Sequence, residues 1–269
     1  MLINGVPGDH VSIHDRGLLY GDGVFRTLRV SAGKILCWPR HLRKLQQDCA
    51  ALKLPCPEAA LLLDEFQQLA GKQPDGVAKI IITRGLGVRG YAPAENSIPT
   101  RILSITPFIP YPYEFYTQGI RLRVCDLRMA HQPRLAGIKH LNRLENVLAA
   151  SEWHDAGIAE GLLLDVANNV IEGTRSNLFM LRDGELQTPD LSHCGVSGVQ
   201  RERVIEWASA HGMPCRIGQF GLAELLAADE IFLVNSVIGL WPVHELQGHT
   251  WSNHPVARQV QEWLNHATD

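Results

Sequence analysis

Lys139 is a side chain whose setting in the sequence could support covalent chemistry. It stands just before Leu141, Leu144 and Leu148, whose i, i+3 and i+7 spacing predicts one face of a helix. A lysine held rigidly at such a point, and partly desolvated, can offer a neutral amine to an aldehyde. Taken alone, a lysine at a helix start is nearly always a solvated surface residue. The residues around Lys139 must therefore decide its role.

Glu172 is a second candidate, because it ends an apolar strand predicted at residues 170–172 and precedes a turn. A carboxylate beside the nitrogen of a heteroaromatic ring keeps that nitrogen protonated, which makes the ring a stronger electron sink. An ordinary turn acid is the simpler interpretation of Glu172 when it is considered by itself.

Further residues could bind an anionic group. Ser197 and Gln200 form a capping-box pattern, which predicts a helix over residues 199–211. The amides and the dipole at a helix N-terminus suit a phosphate, although a plain capped surface helix fits this pattern equally well. Ser236 offers a hydroxyl at the end of a predicted strand, and Arg43 offers a guanidinium on a predicted helix.

The elements that must position these residues predict an α+β fold with two domains. Pro110 and Pro112 cannot lie inside a helix or a central strand, so residues 108–118 are predicted to be a linker. The predicted division is a small N-terminal α+β domain at 1–107, the linker, and a larger C-terminal α+β domain at 119–269. A cleft between the domains is the expected ligand site. Helices are predicted at residues 40–54, 61–70, 141–156, 199–211 and 255–266.

The segment 85–90 matches the dinucleotide-binding pattern G-x-G-x-x-G but lacks its structural context. That function needs a helix whose first amides face the pyrophosphate. Pro93 and Pro99 follow instead, ahead of another predicted strand. We therefore predict a glycine-rich hairpin connection with Arg84 and Arg89 at its ends, where both could meet an anionic ligand.

Composition excludes several other functions. The chain has 269 residues, a formal net charge of −3 and no long basic run, so nucleic acid is not an expected partner. Neither an apolar run of about eighteen residues nor an export signal is found, so no membrane span and no secretion are predicted. The six cysteines lack C-x-x-C spacing and are interpreted as reduced thiols of a cytoplasmic protein. No metal is predicted, because the sequence has no helix-spaced pair of histidines with a carboxylate as third ligand among His140, His154, His244 and His249.

Together these segments resemble the fold-type IV pyridoxal-phosphate enzymes, which include branched-chain and D-amino acid aminotransferases and 4-amino-4-deoxychorismate lyases. The resemblance runs from Tyr-Gly-Asp-Gly-Val-Phe at 20–25 to Asn-Ser-Val-Ile-Gly-Leu-Trp-Pro-Val at 235–243, with four motifs in matching order and spacing. It implies a D-amino acid aminotransferase-like fold, an active site between the domains, and pyridoxal 5′-phosphate as cofactor. Lys139 matches the Schiff-base lysine, and Glu172 matches the partner of the pyridine nitrogen. The resemblance implies phosphate and ring contacts from Arg43, Ser176, Asn177, Val199, Gln200 and Ser236.

Details of these motifs favour the lyases within the family. The run 138–148 is very close to the lyase version of the lysine motif, and 84–91 resembles its R-G-x-G-x-R-G-Y segment. Leu144 stands where branched-chain aminotransferases carry a tyrosine, and Arg26 replaces a residue that is often acidic in the aminotransferases. Thr27 aligns with a threonine that is implicated in proton transfer in the lyases. Predicted substrate contacts are Phe25, Arg84 and Arg89; Gln200 stands where many relatives have threonine, which implies a contact through its backbone.

The resemblance implies conversion of 4-amino-4-deoxychorismate to 4-aminobenzoate and pyruvate, a step of folate biosynthesis. Lys139 would remove the proton at the ring carbon that bears nitrogen, and Thr27 or Lys139 would protonate the departing methylene. The relatives form homodimers, so a homodimer is expected. An aminotransferase acting on D-amino or branched-chain amino acids, and a non-catalytic protein that binds small anions, remain alternatives.

Overall fold

The structure, a computed structural model, describes residues 1–87 and 89–266. The chain divides into two compact units. The first comprises Met1–Ile109 together with the short segment Ile138–Asn142, and the second comprises Pro110–Gly137 and residues 143–266. The segment that carries Lys139 therefore belongs to the first unit, although it lies far along the sequence.

The first unit is a six-stranded sheet covered by helices, with strand order β2-β1-β6-β5-β3-β4 and antiparallel pairing throughout. Its elements are β1 (Leu2–Ile3), β2 (Val6–Pro7), α1 (Arg16–Tyr20), β3 (Gly23–Ser31), β4 (Lys34–Ile35), α2 (Trp38–Ala51), α3 (Ala59–Ala70), β5 (Gly76–Thr83) and β6 (Thr100–Pro107).

Strand β3 determines which side chains reach the core of this unit. Alternate residues of a strand point to opposite faces, and Val24, Leu28 and Val30 are fully buried in one cluster with residues of α2 and α3. Phe25 and Thr27 occupy the opposite face and are only half-buried. The strand thus separates a packed face from a face that is available to a ligand.

The second unit is a nine-stranded sheet of mixed pairing with helices on its outside. The strand order is β12-β11-β10-β13-β14-β7-β8-β9, and β15 pairs with β14. Its elements are α4 (Glu114–Thr117), β7 (Ile120–Met129), α5 (Leu144–Ala150), β8 (Ile158–Asp165), β9 (Val170–Gly173), β10 (Asn177–Arg182), β11 (Glu185–Pro189), α6 (Val199–Ala210), β12 (Cys215–Gly218), α7 (Leu222–Leu226), β13 (Glu230–Asn235), β14 (Gly239–Leu246), β15 (His249–Thr250) and α8 (Pro255–His266).

A pairing between β9 and β10 closes six of these strands into a ring. Glu172 of β9 lies opposite Asn177 of β10, and β10 continues through β13, β14, β7 and β8 back to β9. The strands are apolar on both faces because both are buried. In β10, Leu178 packs in the cluster that contains Trp241, whereas Phe179 packs with α6 and α8. Glu172 and Asn177 are therefore held by backbone pairing at the seam of the ring.

The structure confirms the α+β class and most long elements, and it corrects one helix. The helix predicted at 141–156 is shorter, because α5 covers only Leu144–Ala150. Leu141 instead lies outside the helix and pairs with β3, since its backbone N–H donates to the Gly23 carbonyl. Residues 84–99 connect β5 to β6 as an antiparallel hairpin, as predicted, and the part of this connection that the structure describes contains no helix.

The segment predicted as a linker is largely packed into the second unit. Pro110 begins that unit, and Tyr111 and Phe115 place their rings 4.8 and 5.3 Å from the ring of Trp241 in edge-on contacts. Aromatic side chains bury a large apolar area, so a proline-containing segment rich in them packs on a core rather than crossing solvent. The predicted domain limits and a site between the domains stay predictions.

Within residues 1–87 and 89–266, no helix is long and apolar enough to cross a membrane. The same residues contain no group of three or more His, Cys, Asp or Glu side chains arranged to hold a metal ion.

Candidate active site

Lys139 lies on an extended segment that runs beside β3 in the first unit. Its carbonyl oxygen accepts a hydrogen bond of 2.9 Å from the Phe25 N–H, and Leu141 N–H donates to Gly23 at 2.9 Å. Ile138 is buried in the core of the same unit and anchors the segment. Lys139 is therefore fixed by sheet-like pairing rather than by a helix start.

The Lys139 amine faces the half-buried side of β3. Its Nζ lies 4.7 Å from the centroid of the Phe25 ring, and Thr27 follows two residues later on the same face. Lys79 of β5 pairs with Thr27 of β3, and its Nζ lies 5.3 Å from the centroid of the same ring. An amine, a hydroxyl and an aromatic face are thus brought together, which is a suitable set for moving protons beside a planar substrate.

Glu172 is buried in the second unit and is held by neutral donors. Its side chain is only 3% exposed, and its Oε2 accepts from Val196 N–H at 2.9 Å and from Asn177 Nδ2 at 3.3 Å. Asn177 also donates to the Val196 carbonyl at 2.8 Å and accepts from Gly198 N–H at 3.2 Å. Asn177 therefore ties the Glu172 carboxylate to the segment that leads into α6.

The start of α6 differs from the predicted capping box. Gly198 is the N-cap and no side chain caps the helix; the Gln200 side chain instead accepts a bond from Arg203. The helix predicted from residue 199 is confirmed, but the capping box predicted for Ser197 and Gln200 was wrong, because the N-cap is Gly198, one residue later than that pattern requires. A Cβ at Gly198 would lie 2.3 Å from Asn177 Oδ1, so glycine permits this close approach. Val199 and Gln200 occupy the first turn, where N–H groups have no partner within the helix.

The other predicted cofactor contacts lie in both units. Ser176 is buried, and its hydroxyl donates to Glu160 at 3.1 Å. Ser236 is half-buried in the turn after β13. Arg43 is exposed on α2 of the first unit. Among the predicted cofactor contacts, Glu172 and Asn177 of the second unit thus touch each other directly.

A buried ionic network in the first unit joins the residue just before β3 to the residue just after β5. The Asp22 carboxylate accepts from Arg16 Nε at 2.9 Å and from Arg84 Nε at 2.8 Å. Arg84 also donates to the backbone carbonyls of Leu52 and Lys53 at the end of α2, each at 2.8 Å. These contacts give Arg84 a structural role and do not favour the substrate contact predicted for it.

Arg16 extends the same network to the glycine-rich connection. Its guanidinium donates to the carbonyls of Gly90 and Tyr91 at 2.9 and 2.6 Å. Arg89, by contrast, is exposed in this connection. The sequence predicted Arg84 and Arg89 as equivalent ends of one loop, whereas the structure buries the first and exposes the second.

Residues 23–246 match the family profile described as Amino-transferase class IV, which covers most of the chain and its sheets. The chain belongs to the class IV aminotransferase family. Aminodeoxychorismate lyase from Vibrio harveyi is 37% identical over 241 residues, covering 90% of this chain and 89% of that protein. D-Alanine aminotransferase from Staphylococcus aureus is 27% identical over 262 residues, covering 94% of this chain and 90% of that protein.

Among solved structures, the crystal structure of 4-amino-4-deoxychorismate lyase from Pseudomonas aeruginosa superimposes on this class IV chain with a TM-score of 0.95. The two are 48% identical, and the match covers 100% of this chain and 99% of the other. Both units therefore have counterparts in that structure.

The ionic contacts of this class IV chain that the sequence did not predict include two groups in the first unit. One is the Asp22 network, and the other is a buried pair between Arg26 and Asp48. A signal for the second was present, because Arg26 interrupts an apolar row of β3 that faces the core. A buried guanidinium that lost its acidic partner would cost about 3–5 kcal/mol, so such a position requires a nearby acid.

We expect the Asp22 network to make the stability of this class IV protein sensitive to acid. Burial alone would raise the pKa of the Asp22 carboxyl, but Arg84 and Arg16 outweigh burial and hold that pKa below its ordinary value of 3.8. A lowered folded-state pKa stabilises the protein above the unfolded value, and this contribution disappears as the pH falls through the folded value.

The Asp22→Asn variant is expected to lower Tm near neutral pH by roughly 4–8 °C, the shift that about 2 kcal/mol gives in a chain of this size. Calorimetry between about pH 7 and pH 3 should show this difference shrinking below about pH 4. Asp183, whose side chain is 92% exposed, supplies the control variant Asp183→Asn, which should follow the wild type throughout. A constant difference between wild type and Asp22→Asn would contradict the expectation.

Proposed function

We propose that this protein is a pyridoxal-phosphate-dependent lyase that converts 4-amino-4-deoxychorismate to 4-aminobenzoate and pyruvate. The observation that carries the proposal is the full-length likeness to a 4-amino-4-deoxychorismate lyase, at 48% identity and a TM-score of 0.95. The 37% identity to a second such lyase over nine tenths of the chain supports it. The reaction would serve folate synthesis.

The donor set of the second unit fits the cofactor. Glu172 is a buried carboxylate with a backbone amide and a side-chain amide on its Oε2, and a carboxylate is the type of partner that a cationic ring nitrogen requires. Gly198 leaves the start of α6 without a side-chain cap, which suits a phosphate. Both features belong to one contact network through Asn177.

We propose that Lys139 would hold the cofactor covalently and that Glu172 would face its pyridine nitrogen. When bound, pyridoxal phosphate supplies an electron sink that acidifies the carbon next to the substrate nitrogen. The backbone amides of Val199 and Gln200 would bind the phosphate, and Asn177 would keep Glu172 aligned with them. Further proposed contacts come from Arg43, Ser176 and Ser236.

The proposed reaction needs two proton transfers, and the first unit offers two groups for them. The Lys139 amine, once the substrate amine has displaced it from the cofactor, would accept the proton from the ring carbon that bears nitrogen. Loss of the enolpyruvyl group then leaves an aromatic product. The methylene carbon of the departing enolpyruvyl group must gain a proton to give pyruvate. Thr27 lies on the same face of β3 as the Phe25 ring beneath Lys139, so its hydroxyl or the Lys139 amine would deliver that proton.

Substrate contacts are proposed at Phe25 and Arg89. The Phe25 ring packs against the Lys139 amine, where it would support the flat ring of the substrate. Arg89 is exposed in the glycine-rich connection, where its guanidinium would bind a carboxylate in bidentate fashion. The Arg84 guanidinium is bound to Asp22 and to the end of α2, so we leave it out of the proposed substrate site.

The function is tested by incubating purified protein, loaded with pyridoxal phosphate, with 4-amino-4-deoxychorismate. A lyase forms pyruvate and 4-aminobenzoate in equal amounts without any keto acid. An aminotransferase, the alternative suggested by the D-alanine aminotransferase relative, forms product only after a keto acid is added. A protein that merely binds small anions forms neither. Product that depends on a keto acid would overturn the lyase proposal.

We propose that the protein acts as a homodimer. On α5, Leu144, Val147 and Leu148 are 69%, 57% and 53% exposed, and they form one apolar helical face. Clustered apolar side chains of this kind mark interaction surfaces. The proposed dimer covers this face.

Sedimentation equilibrium is expected to give twice the chain mass of 29.9 kDa for the wild type. Because burying a carboxylate in an apolar contact is costly, the Leu148→Asp variant should weaken the dimer at least about tenfold. Ile217 is an exposed apolar residue of the same unit, 52% exposed, so Ile217→Asp is the matched control and should leave the mass unchanged. A wild-type monomer, or equal effects of both variants, would contradict the proposal.

We also propose that the protein works in the cytoplasm. All six cysteines lie within the described residues, where none of them forms a disulfide, and reduced thiols persist best where the cell keeps them reduced.

A further inference from the structure

Arg26 occupies a position on β3 where the fold otherwise places apolar side chains. Val24, Leu28 and Val30 of the same row are fully buried in the core of the first unit, and Arg26 itself is only 2% exposed. Its Nη2 donates to the Asp48 carboxylate on α2 and to the Lys44 carbonyl at 3.2 Å. Both contacts hold the Arg26 guanidinium, a charge that is costly to bury, against α2.

Asp48 also reaches the segment that carries Lys139. Its Oδ2, the oxygen bound by Arg26, accepts a hydrogen bond of 3.3 Å from the backbone N–H of Lys139. The Lys139 carbonyl accepts from Phe25 N–H at 2.9 Å. Both backbone polar groups of Lys139 are therefore held, one by β3 and the other by the Asp48 side chain.

We propose that Asp48, oriented by Arg26, is a positioning residue that fixes the backbone of Lys139 and so presents its amine for reaction. The inference rests on the proposed function, because it assigns Asp48 a role through the lysine that would hold the cofactor. Asp48 touches neither substrate nor cofactor in this role; it acts through the peptide group of Lys139. Reactions of held groups are sensitive to small displacements, and about 1 Å can cost a hundredfold in rate.

Charge explains why an arginine accompanies the aspartate. Burial raises the pKa of the Asp48 carboxyl, and the adjacent Arg26 guanidinium opposes that rise. Arg26 therefore favours the ionised carboxylate, which accepts hydrogen bonds without a competing proton. A hydrogen bond to an ionised acceptor is stronger than one to a neutral group, so the pair holds the Lys139 amide more firmly than a neutral acceptor would.

The test separates the hydrogen bond from the ion pair by using two double variants. Arg26→Met with Asp48→Asn removes both charges but keeps a carbonyl acceptor for the Lys139 amide. Arg26→Met with Asp48→Leu removes the same charges and also the acceptor, with a side chain of similar size. Replacing a buried ion pair by neutral groups is often tolerated, and Tm is recorded for both proteins.

Two measurements follow the position of Lys139 rather than turnover. The first is the rate at which added pyridoxal phosphate links to apoprotein, followed by its visible absorbance. The second is hydrogen exchange of the Lys139 amide in the apoprotein, which needs no cofactor. The affinity for pyridoxamine phosphate, which has no aldehyde for the lysine, reports whether the rest of the cofactor site is intact.

We expect the Leu variant to link the cofactor at least about tenfold more slowly than the Asn variant and to exchange the Lys139 amide about tenfold faster, as one lost hydrogen bond implies. Pyridoxamine phosphate should bind both variants with affinities within about threefold of the wild type, since its contacts are unchanged. Equal linking rates and equal exchange in the two variants would overturn the inference and leave the proposed function standing. A wild-type protein that never links the cofactor would overturn the proposed function and the inference together.

Discussion

The Lys139→Ala variant is expected to lose lyase turnover by at least about a thousandfold. Lys139 is proposed to hold the cofactor and to move a proton, and general acid–base catalysis alone contributes about 10²–10⁴-fold. The backbone of residue 139 is held by Phe25 and Asp48 through main-chain atoms, which alanine retains. Tm should therefore fall only slightly, and the measurement is pyruvate release under saturating substrate.

Lys79 provides a matched control for this variant. Its Nζ lies 5.3 Å from the Phe25 ring, close to the 4.7 Å of Lys139, and both amines face the same side of β3. Lys79→Ala removes a similar positive charge that lies near the same ring. We expect this variant to change turnover by less than about threefold, because an exposed charge contributes little. Similar losses in both variants would assign the effect to charge rather than to the chemistry of Lys139.

The Glu172→Gln variant is expected to lower turnover by about a hundredfold or more while the protein stays folded. Glutamine keeps an oxygen that accepts from Val196 N–H, but it carries no charge to hold a ring nitrogen protonated. The electron sink is weakened as a result, so proton removal by Lys139 slows. Turnover and pyridoxamine phosphate affinity are measured together, and both should fall.

Glu230→Gln is the control, because Glu230 is also buried and accepts from two backbone amides, Val256 and Ala257, at 3.0 Å each. Glu230 is the first residue of β13, and its carboxylate binds the first amides of α8. Its loss is expected to lower Tm without a specific loss of turnover. A Glu172→Gln protein as active as Glu230→Gln would remove Glu172 from the proposed cofactor site.

Local patterns in the sequence predicted much of the fold, because strong periodicity survives in the long elements. The glycine-rich segment at 85–90 was predicted to be a hairpin connection, and β5 and β6 on either side of it pair antiparallel. The helix near Lys139 was predicted too long, since the spacing of Leu141 and Leu144 fits a helix although Leu141 pairs with Gly23. That contact joins residues far apart in the sequence, so local periodicity could not reveal it.

The candidate site was only partly predictable for the same reason. Lys139 and Glu172 stand in motifs that can be recognised locally, but Arg84 meets Asp22 across 62 residues and Arg26 meets Asp48 across 22. Arg84 was predicted as a substrate contact because it stands at one end of the glycine-rich connection, whereas the fold buries it beside Asp22. Buried ion pairs depend on tertiary packing, and a single sequence gives no direct signal for their partners.

The role of Lys139 is tested most directly by mapping the point of cofactor attachment. Wild-type protein is loaded with pyridoxal phosphate, reduced with borohydride, digested and analysed by mass spectrometry. We expect one phosphopyridoxyl group per chain, on the peptide that contains Lys139, and none on the peptide that contains Lys79. A label on Lys79, a label spread over many lysines, or no label at all would contradict the proposed function.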